Sequence, residues 1–227
     1  MSMIDHAAII EITAFEWVPD FARGFVRDLR PRWACEEAGI PYRERLISAV
    51  ERPEWYFAEQ PWGQVPAMRD GDIHLFESGA TLLHLGEMSQ VLLPAKGQPR
   101  ADAISWLFAA FNSVEPFLFE YTNVTMFARD EEWAKLRRPG LEEFIARRLA
   151  PLERHLADHD WLGGAFSIAD IAMVTTLRAI EKTDLLAAHP AVDAYIDRGM
   201  ARPAFERAMA DQLAKFDAHT PAQMQGA

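Results

Sequence analysis

The stretch Gln60-Pro61-Trp62-Gly63-Gln64-Val65-Pro66-Ala67-Met68-Arg69-Asp70-Gly71-Asp72-Ile73-His74-Leu75-Phe76-Glu77-Ser78-Gly79 decides the fold. Residues 65–69 and 73–76 are short runs of strand type, and Asp70-Gly71-Asp72 between them is a tight hairpin signal. An antiparallel pair is therefore predicted here. Glu77-Ser78-Gly79 then opens a helix that runs through Ala80, Leu82, Leu83 and Leu85.

Working outward, residues 8–15 read as a first strand, carried by Ile9, Ile10, Ile12 and Phe15. A long connection with Pro19 and Gly24 follows, and then a helical stretch ending in Trp33-Ala34-Cys35-Glu36-Glu37-Ala38, stopped by Gly39 and Pro41. Pro31 allows two readings. It kinks a helix that starts near Arg23, or it occupies the third helical position behind an Asp28 N-cap, where no intrahelical bond is lost. Residues 42–47 alternate as a second strand, and 53–59 form a short helical or irregular stretch. The resulting order is β-α-β-α-β-β-α.

Downstream, residues 89–99 contain Pro94, Gly97 and Pro99 and read as a linker, after which the pattern is helical throughout. Trp106, Leu107, Ala110 and Phe111 begin one long helix. Leu141, Phe144, Ile145, Leu149, Leu152 and Leu156 mark the apolar face of the next, with Pro139-Gly140 expected to separate the two. In Phe166-Ser167-Ile168-Ala169-Asp170-Ile171, Ser167 and Asp170 form a capping box for a buried helix. Two shorter helices are expected near 191–199 and 203–216, and the tail 219–227 is expected to be loose. The expected division is residues 1–88, a linker 89–99, and an all-α unit 100–227.

The formal net charge of -11 over 227 residues argues against a nucleic-acid or anionic-membrane surface, which needs a basic face. A single cysteine, Cys35, suits a reducing compartment, and no stretch approaches the length of a membrane span, so a cytoplasmic protein is expected. His155 and His159 lie four apart without a third ligand, so no metal site is expected. Neither a Gly-rich phosphate loop nor a G-x-S-x-G elbow is present.

Three features in order resemble the soluble glutathione S-transferase family. Residues 60–68 are similar to its Asn-Pro-x-Gly-x-Val-Pro-Ala-Leu stretch, Glu77-Ser78 matches its acidic-Ser pair, and Ser167-Ile168-Ala169-Asp170 matches its helix cap. Glu36-Glu37-Ala38-Gly39-Ile40-Pro41-Tyr42 is similar to its first helix-to-strand turn. The likeness implies a thioredoxin-like N-terminal domain followed by an all-α domain, with glutathione as co-substrate. A cis Val65-Pro66 bond would present the Val65 main chain to the tripeptide as to an added strand. Ser78 at a helix N-terminus would take the γ-glutamyl carboxylate, Glu77 its ammonium, and Gln64 the tripeptide backbone or its glycyl end.

Such an enzyme must hold glutathione as thiolate. Lowering a thiol pKa by about two units requires about 2.7 kcal/mol of anion stabilisation. Family members usually place a Tyr, Ser or Cys after the first strand. Here residues 16–27, Glu16-Trp17-Val18-Pro19-Asp20-Phe21-Ala22-Arg23-Gly24-Phe25-Val26-Arg27, contain none. The candidate substitutes are Arg23, Arg27 or Arg30 by charge, the Trp17 indole N–H, or the first amides of the following helix. Cys35, late in that helix beside Trp33, reads as a buried structural thiol.

The resemblance puts a second-substrate pocket between the domains, with Phe111, Glu115 and Phe119 as lining candidates for a small apolar electrophile. It also implies a homodimer. Conjugation is the leading expectation. Glutathione-dependent disulfide or peroxide reduction, and a non-catalytic ligand-binding role, stand beside it.

Overall fold

A computed structural model describes residues 2–220, so residues 221–227 of the tail expected to be loose lie outside the described residues. The chain divides into two compact units: Met1–Leu92 together with the chain from Arg202 onward, and Leu93–Ala201.

The first unit is built on four strands, β1 (Ile10–Phe15), β2 (Tyr42–Ile47), β3 (Ala67–Asp70) and β4 (Ile73–Phe76), in the order β2-β1-β3-β4. β1 is parallel to β2 and antiparallel to β3, and β3 and β4 form the expected hairpin. Asp70 faces Ile73 across it, and Gly71 turns the chain at φ 56. The connection between β1 and β2 carries helix α1 (Leu29–Ala38), and α2 (Ser78–Met88) follows β4. Between β2 and β3 the helical position is filled by a short 3-10 segment, Glu54–Ala58.

Of the two readings of Pro31, the chain adopts the second. α1 starts at Leu29 behind Asp28, so the ring sits at the third helical position, where it removes no intrahelical bond. Gly39 ends the helix at φ 65, and the Ile40 amide reaches back to the Cys35 carbonyl (2.9 Å).

The final helix, α8 (Pro203–Ala218), packs on α1 in the first unit, whereas the sequence pattern assigned it to the helical half. The reason lies in residues far apart in sequence: α8 buries Ala204, Phe205, Ala208 and Phe216, and ion pairs flank that face. Glu36 and Glu37 on α1 and Glu44 on β2 face Arg207 (2.7 Å), Arg202 (2.5 Å) and Lys215 (2.7 Å). An edge-on contact of Trp33 with Phe205, 4.9 Å between centroids, fills the apolar part of the seam.

The second unit contains α3 (Gly97–Ala109), α4 (Glu115–Thr122), α5 (Glu132–Leu156), α6 (Ile168–Leu177) and α7 (Pro190–Met200). Gly97, Gln98 and Pro99, expected in the linker, are the first turn of α3. A widened π turn, Ala110–Val114, joins α3 to α4, with the Glu115 amide bonded to the Ala110 carbonyl. Pro116 explains it: the ring has no N–H for the Asn112 carbonyl and crowds it, so the chain opens by one residue. Pro139-Gly140 does not separate two helices as expected. The break falls at residues 128–131, and α5 runs through both residues. The buried stripe Leu141, Ile145, Leu149, Leu152 and Leu156 outweighs the one bond Pro139 removes.

The capping box forms as read. Asp170 accepts from the Ser167 amide (2.8 Å), and its other oxygen takes the Leu162 amide (3.0 Å) and the Tyr195 hydroxyl (2.9 Å). Replacing Asp170 by Ala strands three buried donors, so the Asp170→Ala protein should lose about 3 kcal/mol in urea unfolding. Ser105→Ala, which removes an exposed bond to the Ala101 carbonyl, should cost less than about 0.5 kcal/mol.

Candidate functional site

Sheet register gathers the binding candidates. Ala67 pairs with Phe76, so Val65 and Pro66, just before β3, and Glu77 and Ser78, just after β4, come to one end of the sheet. β1 runs antiparallel to β3, so its carboxyl end and the loop 16–28 leave the sheet at that same end. Crevices beyond the carboxyl ends of parallel strands are favoured ligand positions in sheets of this kind.

The Val65-Pro66 peptide is cis. The Val65 side chain anchors in a small cluster with Ile47, Tyr56 and Ala67, with Phe15 and Val26 packed against it. Among the described residues, neither its amide nor its carbonyl is paired with another main-chain group. The approach to Val65 is held by a residue that sequence reading passed over. Gln60, fully buried, accepts from the amides of Trp62 (2.7 Å) and Gln64 (3.3 Å), while the Tyr56 hydroxyl donates to the Gln64 carbonyl (2.6 Å). The Gln64 side chain itself is exposed.

Glu77 caps α2 in the left-handed region, φ 71, which a non-glycine residue holds only when its surroundings demand it. It is exposed, and its carboxylate has no ion-pair partner among the described residues. Ser78 is the first helical residue and is 4% exposed. Its hydroxyl accepts from Nη1 of Arg30 (2.9 Å), a buried guanidinium at the second position of α1. This bond joins the first turns of α1 and α2, and it sets Arg30 apart from the other two arginines. Arg23 is drawn to α8 instead, ion-paired with Asp217 and lying 5.8 Å from the centroid of Phe216. Arg27 is half-buried on the loop. No local signal separates the three in sequence; only the reach from α1 to α2 does.

The remaining candidates divide clearly. The amides of α1's first turn are already used, Leu29 to the Val26 carbonyl, Arg30 to Arg27 and Arg32 to Asp28, and Pro31 has none. They are not open to a ligand. The Trp17 indole is half-buried, and its N–H has no partner among the described residues. Cys35 is fully buried, and burial pushes its thiol far above the ordinary cysteine range, which excludes it as a nucleophile at neutral pH. Phe111 lies in the π turn, Glu115 opens α4 and Phe119 follows one turn later, 64% exposed. Among the described residues, no group of three or more His, Cys, Asp or Glu side chains is placed to hold a metal, and no helix is long and apolar enough to cross a membrane.

Residues 29–88 match the glutathione S-transferase N-terminal domain model and residues 145–198 the C-terminal one. The disulfide-bond oxidoreductase YfcG of Escherichia coli (strain K12) is 30% identical over 187 residues, covering 77% of this chain and 86% of that protein. Glutathione S-transferase F9 of Arabidopsis thaliana is 31% identical, covering 73% of this chain and 82% of that protein. Among solved structures, a glutathione transferase family member from Pseudomonas fluorescens pf-5 with two glutathione bound superposes with a TM-score of 0.78 at 24% identity, covering 90% of this chain and 94% of that one. A thioredoxin-like first unit, an all-helical second one and this pattern of relatives lead to one conclusion: the chain belongs to the glutathione S-transferase family.

Proposed function

We propose that this chain binds glutathione at the carboxyl end of β1 and presents its thiolate to a small apolar electrophile, as a glutathione transferase. The observation that carries the reading is the convergence there of the unpaired Val65 main chain, the Glu77 carboxylate and the buried Arg30–Ser78 pair. Val65 offers an amide and a carbonyl to an extended peptide, as a sheet edge does. Ser78 and the amides that open α2 suit a carboxylate, and Arg30 behind them adds a permanent positive charge. Glu77 suits an ammonium. These are the charged groups of a γ-glutamyl end.

Glutathione supplies the thiol, and the chain's part is to orient it and hold its proton off. Trp17, with Arg27 beside it on the same loop, is assigned to the thiolate, by hydrogen bonding and by charge. Phe111, Glu115 and Phe119 are assigned to the second substrate. A homodimer and a cytoplasmic setting accompany this reading.

A second reading is favoured by one relative. YfcG is named a disulfide-bond oxidoreductase, and the loop 16–28 here holds no Tyr, Ser or Cys. Glutathione-dependent disulfide reduction needs no nucleophile from the protein and would use the same binding residues.

Retention on immobilised glutathione, followed by turnover of an aryl halide and of a small disulfide, separates these readings. Retention with aryl halide turnover supports the transferase. Turnover of the disulfide alone supports the reductase, and retention without either supports a binding protein. A chain that is not retained has no glutathione site. Ser78→Ala and Arg30→Met should each weaken glutathione binding about tenfold by calorimetry, as expected for a hydrogen bond to a charged group. Trp17→Phe should leave binding intact and lower kcat about fivefold, the worth of about one hydrogen bond to the thiolate. Cys35→Ser should keep full activity, and native Cys35 should resist an aromatic disulfide reagent until the protein is unfolded.

A further inference from the structure

We propose that Gln212, on α8, is a positioning residue for the thiol chemistry; this rests on the reading of residues 16–28 as the loop that faces the thiolate. That loop has one regular piece, the 3-10 turn Asp20–Ala22, and its first residue is tied to β2 by the Glu16 amide on the Ile47 carbonyl (2.9 Å), leaving the shape of its far end, residues 26–28, to be set by what packs on it. α8 imposes it. The Gln212 side-chain amide, fully buried, donates to the Val26 carbonyl (3.1 Å) and to Oδ1 of Asp28 (2.8 Å) at once. Oδ2 of Asp28 is held by Arg32 (2.7 Å), whose Nη1 reaches Glu44 (2.5 Å), so the bridge is anchored in a buried ionic chain.

The consequence reaches the binding residues directly. The Val26 side chain packs against the cluster that contains Val65, so the carbonyl Gln212 grips belongs to a residue of the apolar group that seats Val65. The outer end of the loop is held by the more exposed Arg23–Asp217 pair. Gln212 is also a costly choice if stability alone is at issue. Its Oε1 is buried with no partner among the described residues, and burial already pushes the Asp28 carboxyl above the usual carboxylate range. A buried acceptor left unpaired is destabilising. The role that remains is to fix where the loop lies.

The test compares the unaltered protein with Gln212→Met, which keeps volume and removes both donors, and with Lys215→Met. Lys215 lies one turn further along α8, pairs with Glu44 and makes no bond to the loop. Thermal unfolding, calorimetric binding of reduced glutathione, the ultraviolet thiolate absorbance of the complex against pH, and aryl halide turnover are read for each. Gln212→Met should lower the melting temperature, since the Val26 carbonyl and the Asp28 carboxylate lose a donor, yet bind glutathione within about twofold, while kcat falls about tenfold and the pH midpoint of the bound thiolate rises, the signature of a displaced stabilising group. Lys215→Met should leave kcat and that midpoint unchanged. Unchanged kcat and midpoint in Gln212→Met overturn the proposal, as does an equal loss in Lys215→Met, which would make general docking of α8 the cause. If the unaltered protein binds no glutathione, the underlying reading falls and the proposal falls with it. If it binds and turns over but Gln212→Met matches it, the proposal alone fails.

Discussion

The structure of the site depends on one buried hydrogen bond, from the Arg30 guanidinium to the Ser78 hydroxyl. It ties together the first turns of α1 and α2, two places where partial positive charge from backbone amides accumulates. A guanidinium buried at that point keeps its charge at any accessible pH. The result is a buried guanidinium set at a helix N-terminus in a chain whose net charge is -11. Bulk charge argues against broad anionic surfaces as partners, whereas a hydroxyl and free amides at one helix start suit a single carboxylate. The bond is made with α1 beginning at Leu29 and Pro31 at the third helical position, so it ties the end of the loop between β1 and α1 to α2.

A second constraint comes from α8. α8 buries Ala204, Phe205, Ala208 and Phe216, with Trp33 edge-on to Phe205, and ion pairs to α1 and β2 flank that face. Glu36 accepts from the Met3 amide (2.6 Å) as well as from Arg207, so the N-terminal segment is drawn into the seam too. The fold thus uses its final helix to shape the loop that follows its first strand. Residues nearly two hundred positions apart in sequence meet at Asp28.

The sequence made the hairpin and the α6 cap legible, because each is a local device. Asp70-Gly71-Asp72 and Ser167 with Asp170 carry their geometry within four residues. Val65, Glu77 and Ser78 could be named because residues 60–68 and 77–78 resemble motifs of the family, and register then brings them together. Three things were not legible, for the same physical reason. Pro139-Gly140 reads as a break, yet the apolar stripe beyond it holds the helix straight through. Helical periodicity places α8 among helices, yet its buried apolar face and ion pairs to distant acids place it on α1. Arg23, Arg27 and Arg30 look alike along the chain, and only tertiary contacts give Arg23 to Asp217 and Arg30 to Ser78. Each depends on partners whose spacing leaves no local trace.

The central claim is that glutathione lies along Val65 with its γ-glutamyl end at Ser78. Titrating isotope-labelled protein with reduced glutathione and following backbone amide resonances tests it most directly. The account predicts saturable shifts of the Val65, Glu77 and Ser78 amides with one common dissociation constant, and smaller shifts along residues 16–28. Saturable shifts confined to other parts of the chain, with Val65 and Ser78 unmoved, would contradict it.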